Sequence, residues 1–224
     1  MLGQNQELPI PERLTPANSP EGHSILEACD SKRNLTLLMT YFENQQNTAF
    51  CGPASACCVL NASGVSRPPS DAHDGFLLFT QDNFFTAAVE DIRSKSKVER
   101  EGMSLEQLGK AMQSHGLEVK IVFATDSNLG EFRDAVKMAM SHEKRFVVVN
   151  FLRSEIGQQT GGHFSPLGAC TTDDKCLLLD TAKYKYPPVW VGVSDVWKAM
   201  QPEDLSSGRS RGYLLIGVPP SKEE

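Results

Sequence analysis

Residues 161–180, GGHFSPLGACTTDDKCLLLD, set two strands side by side. His163–Cys170 and Cys176–Ala182 have the length and apolar content of strands. The TTDDK between them has the composition of a hairpin turn, so the two are predicted to be antiparallel neighbours. That pairing brings His163, at the start of one strand, towards Asp180, near the end of the other. Gly161 and Gly162 place the histidine where a glycine loop enters a strand, which leaves room for a ligand.

Working outward, Phe146–Leu152 (FVVVNFL) and Gly212–Val218 also read as strands, and Ser194–Met200 as a short helix before the last of them. Val119–Ala124 is a further short strand. Upstream the pattern is helical. Cys51 to about Ala62 is rich in small and apolar residues, with Pro53 tolerated in a first turn. Ser104-Leu105-Glu106-Gln107 matches a capping box, Leu105, Leu108 and Met112 follow at helical spacing, and Gly116 closes that helix. Asp126 or Ser127 is predicted to cap a helix carrying Leu129, Phe132, Val136 and Met140 on one face. Residues 1–20 read as an N-terminal arm, 62–74 as a turn-rich connector and 90–101 as a charged, solvated stretch. The class is α+β: a helical half packed on a mainly antiparallel sheet, with a cleft between them.

The chemistry starts from Cys51, in QQNTAFCGPAS at 45–55. A polar loop delivers this cysteine to a helix start, where unpaired backbone N–H groups and the positive end of the helix favour thiolate. Gly52 would let a substrate approach the backbone. A Cys-Gly pair at a helix start is as common in a buried structural thiol, so the case rests on the partners. His163 would serve as base, and Asp180 would fix its tautomer and stabilise the imidazolium. Gln45 is a side-chain donor for the oxyanion of a tetrahedral intermediate. Cys, then His, then an acid or amide is the chain order of papain-like enzymes.

Bulk properties narrow the rest. The chain has 224 residues, 40% hydrophobic and 22% charged, with a formal net charge of −6. One domain is the default at this length. An acidic balance argues against a nucleic-acid or anionic-membrane surface, and no apolar run approaches the roughly 20 residues of a membrane helix. The N-terminus has neither the positive nor the apolar region of a secretory signal, which points to the cytoplasm. The six cysteines lack paired CxxC spacing, so free thiols are expected and no structural metal site. A thiol-based metal buffer would need denser clusters than the pairs 57/58 and 170/176.

Longer motifs carry a resemblance. FCGPAS at 50–55, FTQDNFF at 79–85, GMSLEQLG at 102–109, GGHFSPLGA at 161–169, LLLDTAKYKYPPVWV at 177–191, VWKAM at 196–200 and RGYLLI at 211–216 are similar to phytochelatin synthases, over about residues 8–218. The short chain looks more like the bacterial, single-domain branch, with a catalytic domain over 21–220 and no Cys-rich C-terminal region or the metal response attributed to it. The resemblance implies a papain-like cysteine protease fold, with Cys51, His163 and Asp180 as the triad and Gln45 at the oxyanion. It implies glutathione γ-glutamylcysteinyltransferase chemistry, in which Cys51 removes glycine from glutathione through a γ-Glu-Cys thioester. The acceptor is then a second, metal-bound glutathione, or water. No cofactor is implied to be tightly bound; Cd or Zn enters as a metal–glutathione thiolate substrate. A homodimer is implied on the same ground. Gly162, Lys183, Tyr186 and Arg211 are candidate substrate contacts. Lys183 stands where the family often has Arg, which keeps the charge but loses the bidentate fork. Hydrolysis of glutathione alone, or general papain-like peptidase activity, is the alternative.

Overall fold

In the computed structural model, which describes residues 8–159 and 161–219, the hairpin at 161–180 is present. In chain order the strands are β1 (Thr15–Pro16), β2 (Glu118–Phe123), β3 (Arg145–Leu152), β4 (Gly162–Cys170) and β5 (Lys175–Leu178). They continue with β6 (Val189–Gly192), β7 (Glu203–Asp204), β8 (Arg209–Ser210) and β9 (Gly212–Gly217). The helices are α1 (Pro20–Ala28), α2 (Leu35–Thr40), α3 (Cys51–Ser63) and α4 (Ala87–Ile92). After them come α5 (Lys95–Glu101), α6 (Leu105–Ser114), α7 (Leu129–Ser141) and α8 (Val193–Met200).

The main sheet runs β1-β6-β5-β4-β3-β9-β2, and its neighbouring strands are antiparallel throughout. Both faces are covered. On one, α3 and α6 pack with Phe50, Leu60, Leu108, Phe164 and Leu214; on the other, α7 and α8 pack with Phe132, Val136, Phe151, Val191 and Tyr213. This refines the two-part plan, because α7 and α8 lie behind the sheet rather than with the helices that face the cleft. β4 is central and buried from His163 to Cys170. It contains Pro166, whose missing donor would face β5; the carbonyl on that side accepts from the Leu179 N–H at 2.9 Å. Just beyond it, the β4–β5 register jumps between Leu167 and Ala169, so Gly168 is an extra residue in a bulge. A Cβ there would lie 2.8 Å from Leu35 and 3.2 Å from Leu179, so only glycine lets those leucines close over it.

α3 is a central helix, buried from Gly52 to Ser63, and it ends at Gly64 with φ +85°. The foreseen capping box of α6 is formed: Ser104 accepts from the Gln107 N–H, and the Gln107 side chain accepts from the Ser104 N–H. The cap of α7 is Asn128, not Asp126 or Ser127, because residues 124–126 form a 3-10 turn and the Asn128 side chain accepts from Glu131 N–H. The charged stretch 90–101 is solvated as expected, and it is also ordered. Most of it folds into α4 and α5, which each bury one valine (Val89, Val98) and turn their charges outward. Of the arm, residues 1–7 lie outside the described part. Beyond them, Leu14 is buried and Thr15–Pro16 pairs with β6 at the sheet edge.

Candidate active site

The start of α3 faces the start of β4, and that junction brings together the three residues predicted as a triad. Phe50 at the N-cap offers no side-chain bond, so the first N–H groups of α3 stay available beside Cys51. The sulfur of Cys51 is hydrogen-bonded to His163. His163 Nε2 lies 2.9 Å from Asp180 Oδ1, which leaves the ring's other nitrogen for the thiol. The Nε2 direction misses the carboxylate oxygen, so this contact is a charge pair rather than an aligned hydrogen bond. The three residues come from a helix, a strand and the segment just past β5, as the hairpin requires. Gly52 is corrected: it is buried, and a Cβ there would face Leu108 and Phe164 at 3.4 and 3.6 Å rather than the cleft.

The electrostatics follow from this geometry. Burial alone would push the Cys51 thiol up. The hydrogen bond and charge of His163, the backbone of Phe164 and the charge of Arg153 outweigh it and bring the thiol below its ordinary value. Burial likewise disfavours a charged His163, and Arg153 repels it. Asp180 and the bond to Cys51 outweigh both and raise it above the ordinary imidazole value. Asp180 is fully buried, yet His163 and Arg153 hold it well below the usual carboxylate range. The contrast is Cys58, two turns further along the same face of the chain's central helix, which burial pushes up to about 12. Both shifts run towards a thiolate–imidazolium pair. The pH profile of kcat/KM should be a bell, its acid limb (Cys51) below the free-thiol value and its alkaline limb (His163) above the free-imidazole value. An acid limb at the ordinary thiol pKa would contradict the ion pair.

Arg153 was not foreseen from the sequence. It follows β3 in a 3-10 turn, is 3% exposed, and grips Asp180 with two bonds, Nη1–Oδ2 at 2.6 Å and Nη2–Oδ1 at 2.8 Å. Nη1 also donates to Gln158 Oε1, and the guanidinium lies 5.3 Å from the Tyr186 ring centre. Asp180 Oδ1 accepts from the Ala182 N–H as well, at 2.8 Å. The carboxylate that orients His163 is thus itself held from three directions. Tyr186 belongs to this backing. It is buried, and its hydroxyl accepts from the Gln159 N–H at 2.8 Å, so it does not reach the cleft as a substrate contact.

Gln45 is buried with its amide fixed: Oε1 accepts from Thr181 Oγ1 at 3.3 Å and Nε2 donates to the Asn47 carbonyl at 2.7 Å. One amide hydrogen remains for an oxyanion. Tyr184, also not foreseen, is half exposed near Gln45. Partial burial and the charges of Asp180 and Cys51 raise its phenol. Lys183 turns aside, with Nζ 3.3 Å from the Phe42 carbonyl and 4.6 Å from the Phe42 ring centre.

On the other side of Cys51 a cleft of about 310 Å³ opens, lined among others by Arg100, Asn150, Gly162, Asp204 and Arg211. Arg211 Nη1 is 3.7 Å from Asp204 Oδ2 and 3.4 Å from Asn150 Oδ1, while its buried Nε has no partner among the described residues. Gly162 lies against Arg211, since a Cβ there would sit 2.6 Å from Arg211 Nη1 and displace the guanidinium. Asp204 gave no sequence signal, because it lies in a two-residue ladder without periodicity. Among the described residues no three His, Cys, Asp or Glu side chains converge as metal ligands, and no helix is long and apolar enough to cross a membrane.

The model of the phytochelatin synthase family matches residues 5–213. A Lotus japonicus protein named glutathione gamma-glutamylcysteinyltransferase 3 is 32% identical over 213 residues, 93% of this chain and 43% of its own. Proteins of the same name from Schizosaccharomyces pombe and, numbered 1, from Arabidopsis thaliana are 33% and 31% identical, over 77% and 96% of this chain and 40% and 44% of theirs. The chain spans less than half the length of these relatives. Among solved structures, the Pseudomonas avirulence protein AvrPphB overlaps 81% of this chain and 100% of its own at 10% identity. Its TM-score of 0.34 is too low to bear on the fold. On the match across 5–213, the chain belongs to the phytochelatin synthase family.

Proposed function

We propose that the chain is a glutathione γ-glutamylcysteinyltransferase that works through an acyl-enzyme on Cys51. The observation that carries this reading is the Arg211–Asp204 pair at the cleft beside the thiolate. A γ-glutamyl group ends in a free α-carboxylate and α-ammonium. A guanidinium with an unused buried Nε suits the first, and a carboxylate beside it suits the second. The relatives' names point to the same substrate class.

In this reading the Cys51 thiolate attacks the carbonyl of the Cys–Gly peptide bond. The free hydrogen of Gln45 Nε2 and the N–H groups at the start of α3 stabilise the oxyanion. Collapse breaks the C–N bond, the His163 imidazolium protonates the departing glycine nitrogen, and a γ-Glu-Cys thioester remains. Neutral His163 then takes a proton from the acceptor. If the acceptor is the α-amine of a second glutathione, delivered as a Cd or Zn thiolate, the product is a phytochelatin. If it is water, the product is γ-glutamylcysteine. A metal ion enters only as part of that substrate, and a cytoplasmic location, where glutathione is plentiful, belongs to the same proposal.

The test is mass spectrometry of products from glutathione, with and without Cd²⁺. Phytochelatin with released glycine supports the transferase. γ-Glutamylcysteine and glycine alone would sink transfer and leave glutathione hydrolysis, while cleavage of ordinary α-peptides at comparable rates would favour a general peptidase. Arg211→Lys is predicted to raise KM for glutathione about tenfold with a smaller loss in kcat, because the charge stays but the fork is lost. An unchanged KM would remove Arg211 from the substrate site.

A further inference from the structure

Asp204 reaches the cleft from the turn between β7 and β8, and packing does little to hold that turn. Leu205 at its tip is 91% exposed, and Ser206, Ser207 and Gly208 are exposed as well. β7 and β8 contribute two residues each, too few for the ladder alone to fix a side chain. The direction of the Asp204 carboxylate must therefore be set locally.

Hydrogen bonds within the turn set it. The Asp204 carbonyl accepts from the Ser207 and Gly208 N–H groups, both at 2.9 Å, which closes the turn. The carboxylate oxygen Oδ1 accepts from Ser206 twice, from its N–H at 3.1 Å and from its hydroxyl at 2.8 Å. With Oδ1 so occupied, Oδ2 lies towards Arg211, 3.7 Å from Nη1. That spacing is an ion pair but too long for a hydrogen bond. The two charges therefore stand side by side at the cleft without direct contact, and Ser206 lines the same cleft. Without the hydroxyl only the longer N–H bond holds Oδ1, and the carboxylate is free to turn onto the guanidinium. A closed Arg–Asp fork would satisfy both charges and leave neither for a ligand.

We propose that Ser206 is a positioning residue for substrate binding. Its hydroxyl holds Asp204 off Arg211 and so keeps the pair open for a ligand that carries a carboxylate and an ammonium on one carbon. This rests on the reading of Asp204 and Arg211 as the contacts of the γ-glutamyl group. Ser206 acts only through Asp204, so its effect belongs to KM and not to kcat.

The kinetics of glycine release from glutathione test it. Ser206→Ala should raise KM about fivefold and leave kcat within about twofold, the loss expected for one hydrogen bond to a charged group. Ser206→Thr keeps the hydroxyl and should return KM to the original value. Ser207→Ala trims the same turn without touching the carboxylate and should leave KM unchanged. In an Asp204→Asn background, Ser206→Ala should add no further loss, because no charge is left to position. An unchanged KM in S206A, a failure of threonine to rescue, an equal loss in S207A, or losses that multiply in D204N/S206A would each overturn the proposal. Asp204→Asn separates it from the reading beneath. If D204N leaves KM unchanged, or the unaltered chain does not turn over glutathione, that reading falls and Ser206 with it. If D204N raises KM and S206A does not, the role of Ser206 alone falls.

Discussion

Cys51→Ser should cut glycine release from glutathione by on the order of 10⁴-fold while leaving the thermal midpoint close to that of the unaltered chain. The first expectation follows from the electrostatics of the site. His163, the Phe164 backbone and Arg153 favour the thiolate, with burial as the opposing cost. A serine hydroxyl ionises far above the range those contacts can reach, so the nucleophile would have to be generated anew in each turnover. The second follows from size, since the hydroxyl replaces a half-buried sulfur and opens little space. Glycine release and intact-mass detection of the acyl-enzyme measure both halves of the reaction. A serine variant that still released glycine at the original rate would falsify the assignment of Cys51.

Arg153→Met should destabilise the fold by about 3–5 kcal/mol, because it strands the buried charge of Asp180. His163 would remain as the main neighbouring cation, and the carboxylate, no longer held by two bonds, would be free to turn away from the imidazole. Activity should fall with stability, but a second variant separates the two effects. Adding Asp180→Asn removes the stranded charge, so the pair R153M/D180N should recover much of the thermal midpoint and little of the activity. The pH profile gives a further readout. In the double variant the attraction of Asp180 is lost together with the weaker repulsion of Arg153, so the alkaline limb set by His163 should fall. A limb that stayed in place would show that Asp180 does not set the charge of His163.

The hairpin was legible because its two strands and turn are contiguous, and a contiguous pattern carries its own register. From it came the approach of His163 and Asp180, and with the helix start at Cys51 most of the site followed. Arg153 was hidden for the opposite reason. An arginine just after a strand looks solvated, and only the fold shows that Asp180, Gln158 and Tyr186 enclose it. A faint signal existed, since a charge directly after the apolar run FVVVNFL must be paired if that run ends inside the protein. β6 was missed although VWVG lies in a quoted motif, because two prolines precede it and four residues show little alternation. Tyr186 was placed on the wrong side of the triad for want of any sequence cue to which face of 182–188 is buried. Asp204 and Arg211 are seven positions apart in sequence, and only the turn between β7 and β8 brings them face to face.

The extra residue at Gly168 acts on this chain much as a reading frame acts on a message. Because side chains alternate across a strand, one residue more or fewer between His163 and Cys170 reverses the face shown by everything on the far side of the change. Deleting Gly168 would turn either His163 away from α3 or the segment leading to Asp180 away from His163, with no catalytic residue altered. Lengthening the 171–175 turn lies outside that frame and leaves the pairing intact. Natural variation in length should therefore collect in the turn and avoid the eight residues before it, a pattern imposed by strand geometry before any chemistry is selected.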